Sequence, residues 1–228
     1  MNKISICKIS KSYTCKQVLQ EVSFEAHAGP GNITAILGPS GSGKSTLLRC
    51  LCKLESPDTG EINLHNKSIG MIFQQFHLWK HLSVLENCIL APLKKFKIDK
   101  QEIMNHAISL LAELGLNNKF HSLPNNLSGG EQQRVAIVRA LMMHPEVLLF
   151  DEPTSALDPE RTQNVVDIIH KLAKQKLILI IVTHDIHFAK LVANQVIFLD
   201  EGKVAEKTSV ENQRFLAKSE RFLQYLRH

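Results

Sequence analysis

Val22, Phe24 and Ala26 alternate with Ser23, Glu25 and His27, a period of two that predicts a strand with one wet face. Gly29-Pro30-Gly31 then predicts a turn into Ile33–Leu37, a run apolar enough for a strand covered on both sides. Three similar runs follow at Ile69–Phe73, Val147–Phe150 and Leu177–Val182. Helical patterns separate them, the arrangement expected of a mostly parallel sheet with crossover helices. One helix is predicted over Lys100–Leu114. Asp99 caps it with Glu102 three residues on, Ile103, Ala107, Leu110, Leu111 and Leu114 form its apolar face, and Gly115 stops it. From about 76 to 145 no strong strand signal occurs, which predicts a helical lobe inserted into the sheet domain. No repeat, low-complexity tract or Pro/Gly-rich linker divides the chain, so 1–228 is expected to form a single α/β domain.

Composition narrows the class. The longest apolar run, Leu177–Val182, suits a buried strand and falls far short of the roughly 20 residues of a membrane helix. Met1–Ser5 opens no apolar stretch with a cleavage site. A cytoplasmic protein is expected, with any membrane contact made through partner subunits. The net charge of +5 is spread along the chain and does not argue for nucleic acid. Cys7, Cys15, Cys50, Cys52 and Cys88 lack the spacing of a zinc site or disulfide framework and are expected to be free thiols. Cys50 and Cys52 are two apart on a predicted helix and so point away from each other.

Three segments carry chemistry. Gly38-Pro39-Ser40-Gly41-Ser42-Gly43-Lys44-Ser45 follows an apolar strand and fits G-x-x-x-x-G-K-[ST]. Its glycines let backbone N–H groups converge on phosphate oxygens, and the helix starting near Lys44 adds its positive end. Lys44 is expected to reach the β- and γ-phosphates and Ser45 to ligate Mg²⁺. Val147–Phe150 runs into Asp151 and Glu152, carboxylates at the strand end where parallel sheets bind ligands. Asp151 suits the metal shell and Glu152 the activation of water. Leu127-Ser128-Gly129-Gly130-Glu131-Gln132 reads as a capping box, Ser128 with Glu131, and its two glycines also make an anion-binding helix start.

These segments, with Phe73-Gln74-Gln75-Phe76, Ser155-Ala156-Leu157-Asp158 and Thr183-His184-Asp185, stand in the order of ATP-binding-cassette nucleotide-binding domains, and the chain resembles that family from about residue 4 to 226. The resemblance implies a P-loop NTPase core with an antiparallel β-subdomain and an inserted helical subdomain. It implies an ATPase that binds ATP and Mg²⁺. The cradle from Gly38 to Thr46 would hold the phosphates, Ser45, Gln74 and Asp151 the metal, and Gln74 would also sense a membrane subunit. Glu152 would be the catalytic base, His184 the γ-phosphate switch, Tyr13 the adenine stack and Asp158 a dimer-interface residue. Two copies would pair head to tail, so that Ser128, Gly129 and Gly130 of one meet the nucleotide of the other.

Ile72–Leu78, Leu82–Asn87 and Phe150–Glu160 resemble importers of polar amino acids. That implies transmembrane permease subunits, a solute-binding protein and a place on the inner face of the membrane. Lipoprotein-release and macrolide-type exporters are the alternative, but they usually carry Gly-Asn where this chain has Ser155-Ala156. Soluble cassette proteins of translation or DNA repair normally have two cassettes or a coiled coil. The chain departs from the importer pattern in a shortened segment between Gly60 and Phe73, and at Trp79-Lys80, near the expected docking groove for the membrane subunit.

Overall fold

The computed structural model describes residues 3–14, 16–155 and 159–227, with the backbone alone at 159–161. Cys15 and Ala156–Asp158, including the expected interface residue Asp158, lie outside the described residues. In chain order the elements are β1 (Lys3–Tyr13), β2 (Lys16–His27), β3 (Ile33–Leu37), α1 (Lys44–Leu51), β4 (Thr59–Asn63), β5 (Ile69–Ile72), α2 (Val84–Lys95), α3 (Lys100–Glu113), α4 (Gly129–Leu141) and β6 (Val147–Asp151). They continue with α5 (Pro159–Ala173), β7 (Ile178–Val182), α6 (Ile186–Val192), β8 (Gln195–Asp200), β9 (Lys203–Glu211), β10 (Arg214–Phe215) and α7 (Glu220–Tyr225).

The larger sheet has the order β10-β9-β8-β3-β7-β6-β5, parallel from β8 to β5 and antiparallel at β9 and β10. Its central strands β3 and β7 are buried at every residue, which is why their sequences are continuously apolar rather than alternating. Leu149 and Ile180 project to one side, onto α1 and the inner face of β1 and β2. Leu148, Phe150, Leu179 and Ile181 project to the other, onto α4, α5 and α6. The second sheet, β2-β1-β4, is antiparallel. There Val22, Phe24 and Ala26 face the core, as the alternation predicts. The shortened segment after Gly60 still supplies β4 and β5.

Between β5 and β6 the chain forms α2, α3 and α4, which share an apolar cluster that includes Leu85, Ile103, Ala107, Leu111 and Val135. Asp99 caps α3 by accepting the N–H groups of Gln101 and Glu102. Two boundaries differ from the sequence pattern. β5 stops at Ile72 because the Phe73 carbonyl closes a turn onto the Phe76 N–H at 2.9 Å. α1 stops at Leu51, so Cys52 is its cap rather than a helical residue. Cys7, Cys50, Cys52 and Cys88 are free thiols. No helix among the described residues is long and apolar enough to cross a membrane.

Candidate functional site

The strand order sets β3, β7, β6 and β5 side by side, and the segments leaving their C-terminal ends meet at one edge of the sheet. Gly38 to Ser45 follows β3, His184 follows β7, Glu152 follows β6 and Gln74 follows β5. One cavity of about 1010 Å³ is lined by Tyr13, Pro39, Ser40, Gly41, Gly43, Lys44, Ser45, Thr46, Gln74, Asp151, Glu152 and His184. Residues from five separate stretches of sequence therefore face one space.

The cradle is shaped by what cannot fit. A Cβ on Gly38 would stand 2.1 Å from the Leu199 carbonyl oxygen, and Gly43 has φ +105°. Ser42 is buried, and neither it nor Gly38 lines the cavity. Among the α-helices whose caps are described, α2, α3, α4, α6 and α7 have side-chain caps, whereas α1 has none and carries no acid in its first turn. Its first N–H groups are thus free of side-chain acceptors where an anion would sit. The Lys44 ammonium donates to the carbonyls of Gly38 at 2.8 Å and Pro39 at 2.9 Å. Burial lowers its pKa, and Glu152 and Asp151 oppose that shift.

Across the cleft, burial and the charge of Glu152 raise the pKa of Asp151. Glu152 sits in the left-handed region at φ +47°, held there by its N–H bond to the Val182 carbonyl at 2.9 Å. Its Oε2 lies 2.9 Å from His184 Nδ1 and accepts the His184 backbone N–H at 3.3 Å. Oε1 is left without a hydrogen bond among the described residues. Gln74 Nε2 donates to Ser155 Oγ at 3.0 Å, and that hydroxyl donates to the Glu152 carbonyl at 3.1 Å. The loop after Gln74 is pinned from the helices. Arg139 of α4 donates to the Phe76 and His77 carbonyls, each at 2.7 Å, and its guanidinium lies 5.3 Å from the Trp79 ring centroid. At the mouth, Tyr13 is 39% exposed and donates its hydroxyl to Glu55, which pairs with Arg49 at 3.6 Å.

Ser128 caps α4, and the predicted box is present: Ser128 Oγ accepts the Glu131 N–H, and Glu131 accepts the Ser128 N–H at 2.7 Å. Ser128 and Gly130 do not face the large cavity. They line a separate one of about 220 Å³ with Gln133 and Arg134, while Gly129 has open space where a Cβ would project. Gln133, fully buried, donates to the Pro153 carbonyl at 2.7 Å and ties this helix to the residue after Glu152. The large cavity also gathers Asp185, quoted in the histidine motif without a role, and Lys16, Val18, Ile186, His187 and Tyr225, which motif reasoning missed. Ile186 and His187 follow the histidine motif directly, but Tyr225 lies 41 residues beyond His184 and carried no signal.

Comparison with known proteins agrees with this geometry. The family model described as ABC transporter matches residues 19–155. The glutamine transport ATP-binding protein GlnQ of Geobacillus stearothermophilus is 41% identical over 218 residues, covering 90% of this chain and 89% of that protein. The arginine transport ATP-binding protein ArtM of Bacillus subtilis is 42% identical over 237 residues, covering 98% of each. Among solved structures, a dimeric post-hydrolysis state of an ATP-binding cassette bound to ADP and Pi superposes with a TM-score of 0.80 at 32% identity, covering 92% of this chain and 99% of that one.

Proposed function

The chain belongs to the ABC transporter family and is an ATP-hydrolysing subunit, and on that premise we propose that it powers the import of a polar amino acid through transmembrane permease subunits. In this reading it works at the inner face of the membrane, with a solute-binding protein delivering the cargo. The transport names of its relatives support import over the exporter alternative. The whole of 1–228 acts as one nucleotide-binding domain, with about 76–145 as a helical arm turned towards the permease.

The cradle binds the ATP phosphates through backbone N–H groups, while Lys44 exchanges its own-loop carbonyls for the β- and γ-phosphates. Tyr13 supports the adenine at the mouth. Glu152 takes a proton from the attacking water, the water oxygen bonds the γ-phosphorus, and the bond to the β-phosphate oxygen breaks to leave ADP and phosphate. The engagement of Glu152 Oε2 by His184 leaves Oε1 as the oxygen for water. His184 contacts the γ-phosphate. Ser45, Gln74 and Asp151 present a hydroxyl, an amide oxygen and a carboxylate, hard donors that fit Mg²⁺, and neither Ser45 nor Asp151 commits its side chain to a hydrogen bond among the described residues. When bound, that ion supplies charge neutralisation for the phosphates.

One observation carries the composite character of the site: the cradle and both acids share one cavity, and the signature residues Ser128 and Gly130 face another. A second copy, placed head to tail, brings its Ser128, Gly129 and Gly130 to the γ-phosphate, with Asp158 at the interface. Glu152→Gln tests the reading. It is expected to bind ATP normally, lose about 10²- to 10⁴-fold in turnover, and accumulate as an ATP-bound dimer on size exclusion. Normal steady-state turnover by that variant refutes the assignment of Glu152. For the cargo, ATPase stimulation by a co-expressed permease is measured with amino acids and with lipoprotein substrates; stimulation by lipoprotein alone would overturn import.

A further inference from the structure

Tyr225 stands outside every motif, yet its side chain reaches the catalytic cleft. α7 is short but firmly seated. Phe222 is fully buried and stacks on Phe198 with ring centroids 4.5 Å apart, Arg221 pairs with Asp200 at 2.6 Å, and Ser219 caps the first turn. This seat brings the Tyr225 ring to 5.1 Å from Phe198 and its hydroxyl to 3.3 Å from two carbonyl oxygens, those of Gly38 and His184. Gly38 opens the cradle after β3, and His184 follows the neighbouring strand β7, so one hydroxyl spans the gap between the two loops. A single proton faces two acceptors at equal distance, each longer than an ordinary O–H···O bond, which is the geometry of a shared donor. Burial, with Glu152 and Asp185 nearby, raises the phenol's pKa and keeps it a donor. The Gly38 carbonyl also accepts Lys44 Nζ at 2.8 Å, so its direction is set from two sides.

We propose that Tyr225 is a positioning residue of the ATPase site, whose shared hydroxyl holds the His184 backbone in register with the phosphate cradle. It acts through His184, whose Nδ1 lies 2.9 Å from Glu152 Oε2, and so through the group that orients the base. The inference rests on the roles proposed above for Glu152 and His184. Nucleotide binding by cradle N–H groups does not need this hydroxyl, whereas the chemical step needs His184 and Glu152 placed against the γ-phosphate. Its loss therefore falls on kcat.

Tyr225→Phe removes the hydroxyl and keeps the ring stack on Phe198 and Phe222. In the purified full-length chain, kcat is expected to fall about three- to tenfold, the scale of one neutral hydrogen bond, while KM for ATP and the ADP dissociation constant stay within about twofold. The thermal midpoint is expected to stay unchanged. A wild-type kcat overturns the inference. So does a joint fall of kcat, ADP affinity and thermal midpoint, which would reduce Tyr225 to a packing residue. Glu152→Gln and His184→Ala are assayed alongside. If both lose turnover and Tyr225→Phe keeps it, this inference alone fails; if both keep turnover, the assignment of the site fails and takes this inference with it.

Discussion

At Asp151, burial and the adjacent Glu152 charge hold the carboxyl above its ordinary value of 3.8, so the folded chain keeps that proton to higher pH than the unfolded chain does. The penalty for ionising it is absent below 3.8 and complete above the raised folded value. Asp151→Asn is therefore expected to raise the thermal midpoint of the nucleotide-free protein at neutral pH, with the gain shrinking as pH falls towards 3.8, and to abolish hydrolysis. Thermal scans across that range check the sign. Lys44 presents the complementary case, a buried cation satisfied for now by two carbonyls of its own loop. Lys44→Ala is expected to weaken ATP binding in a direct titration, since the phosphates lose their only side-chain cation within the cradle.

Two helices begin with the same device, and only one of them is proposed to meet a nucleotide. Ser83 with Glu86 caps α2, and Ser128 with Glu131 caps α4, each with both reciprocal hydrogen bonds. Ser83→Ala and Ser128→Ala should each cost about 1 kcal/mol of stability in chemical denaturation. Turnover is expected to survive the first and to fall with the second, because the proposed role of Ser128 is to offer its hydroxyl and helix start to the partner's γ-phosphate. Equal turnover in the two variants would leave Ser128 as a cap alone. α4 has a further mechanical position. Gln133 holds Pro153 beside Glu152, and Arg139 holds the loop after Gln74. One helix thus contacts both the loop after Gln74 and the residue after Glu152.

Over the whole molecule, the cradle and the Ser128 segment line separate cavities, so in the proposed head-to-tail pair each site would draw on both chains. Complementation tests this directly. Lys44→Ala and Ser128→Ala chains, each impaired alone, are expected to regain ATPase activity on mixing, because the mixed dimer would contain one site built from the intact cradle of one chain and the intact signature of the other. No recovery in a mixture shown to contain heterodimers would argue against the head-to-tail arrangement.

The phosphate cradle, the strand ending in Asp151 and Glu152, and the Ser128 box were legible in the residues because each is a local device. A tight glycine turn, a buried strand end and a helix cap are specified by neighbours in sequence. The central strands were legible for the same reason, since burial on both faces demands continuous apolar runs. β1, β8, β9 and β10 were not read from the pattern: β9 alternates between half-buried and exposed positions, and β8 is held between its hairpin partner β9 and β3, a strand far away in sequence. Tertiary structure alone decided that Gln74 is clipped to Ser155, that Ser128 faces away from the cradle of its own chain, and that Tyr225 reaches the carbonyls of Gly38 and His184. Those relations depend on strand order and on where a distant helix comes to rest, and no local periodicity encodes either one.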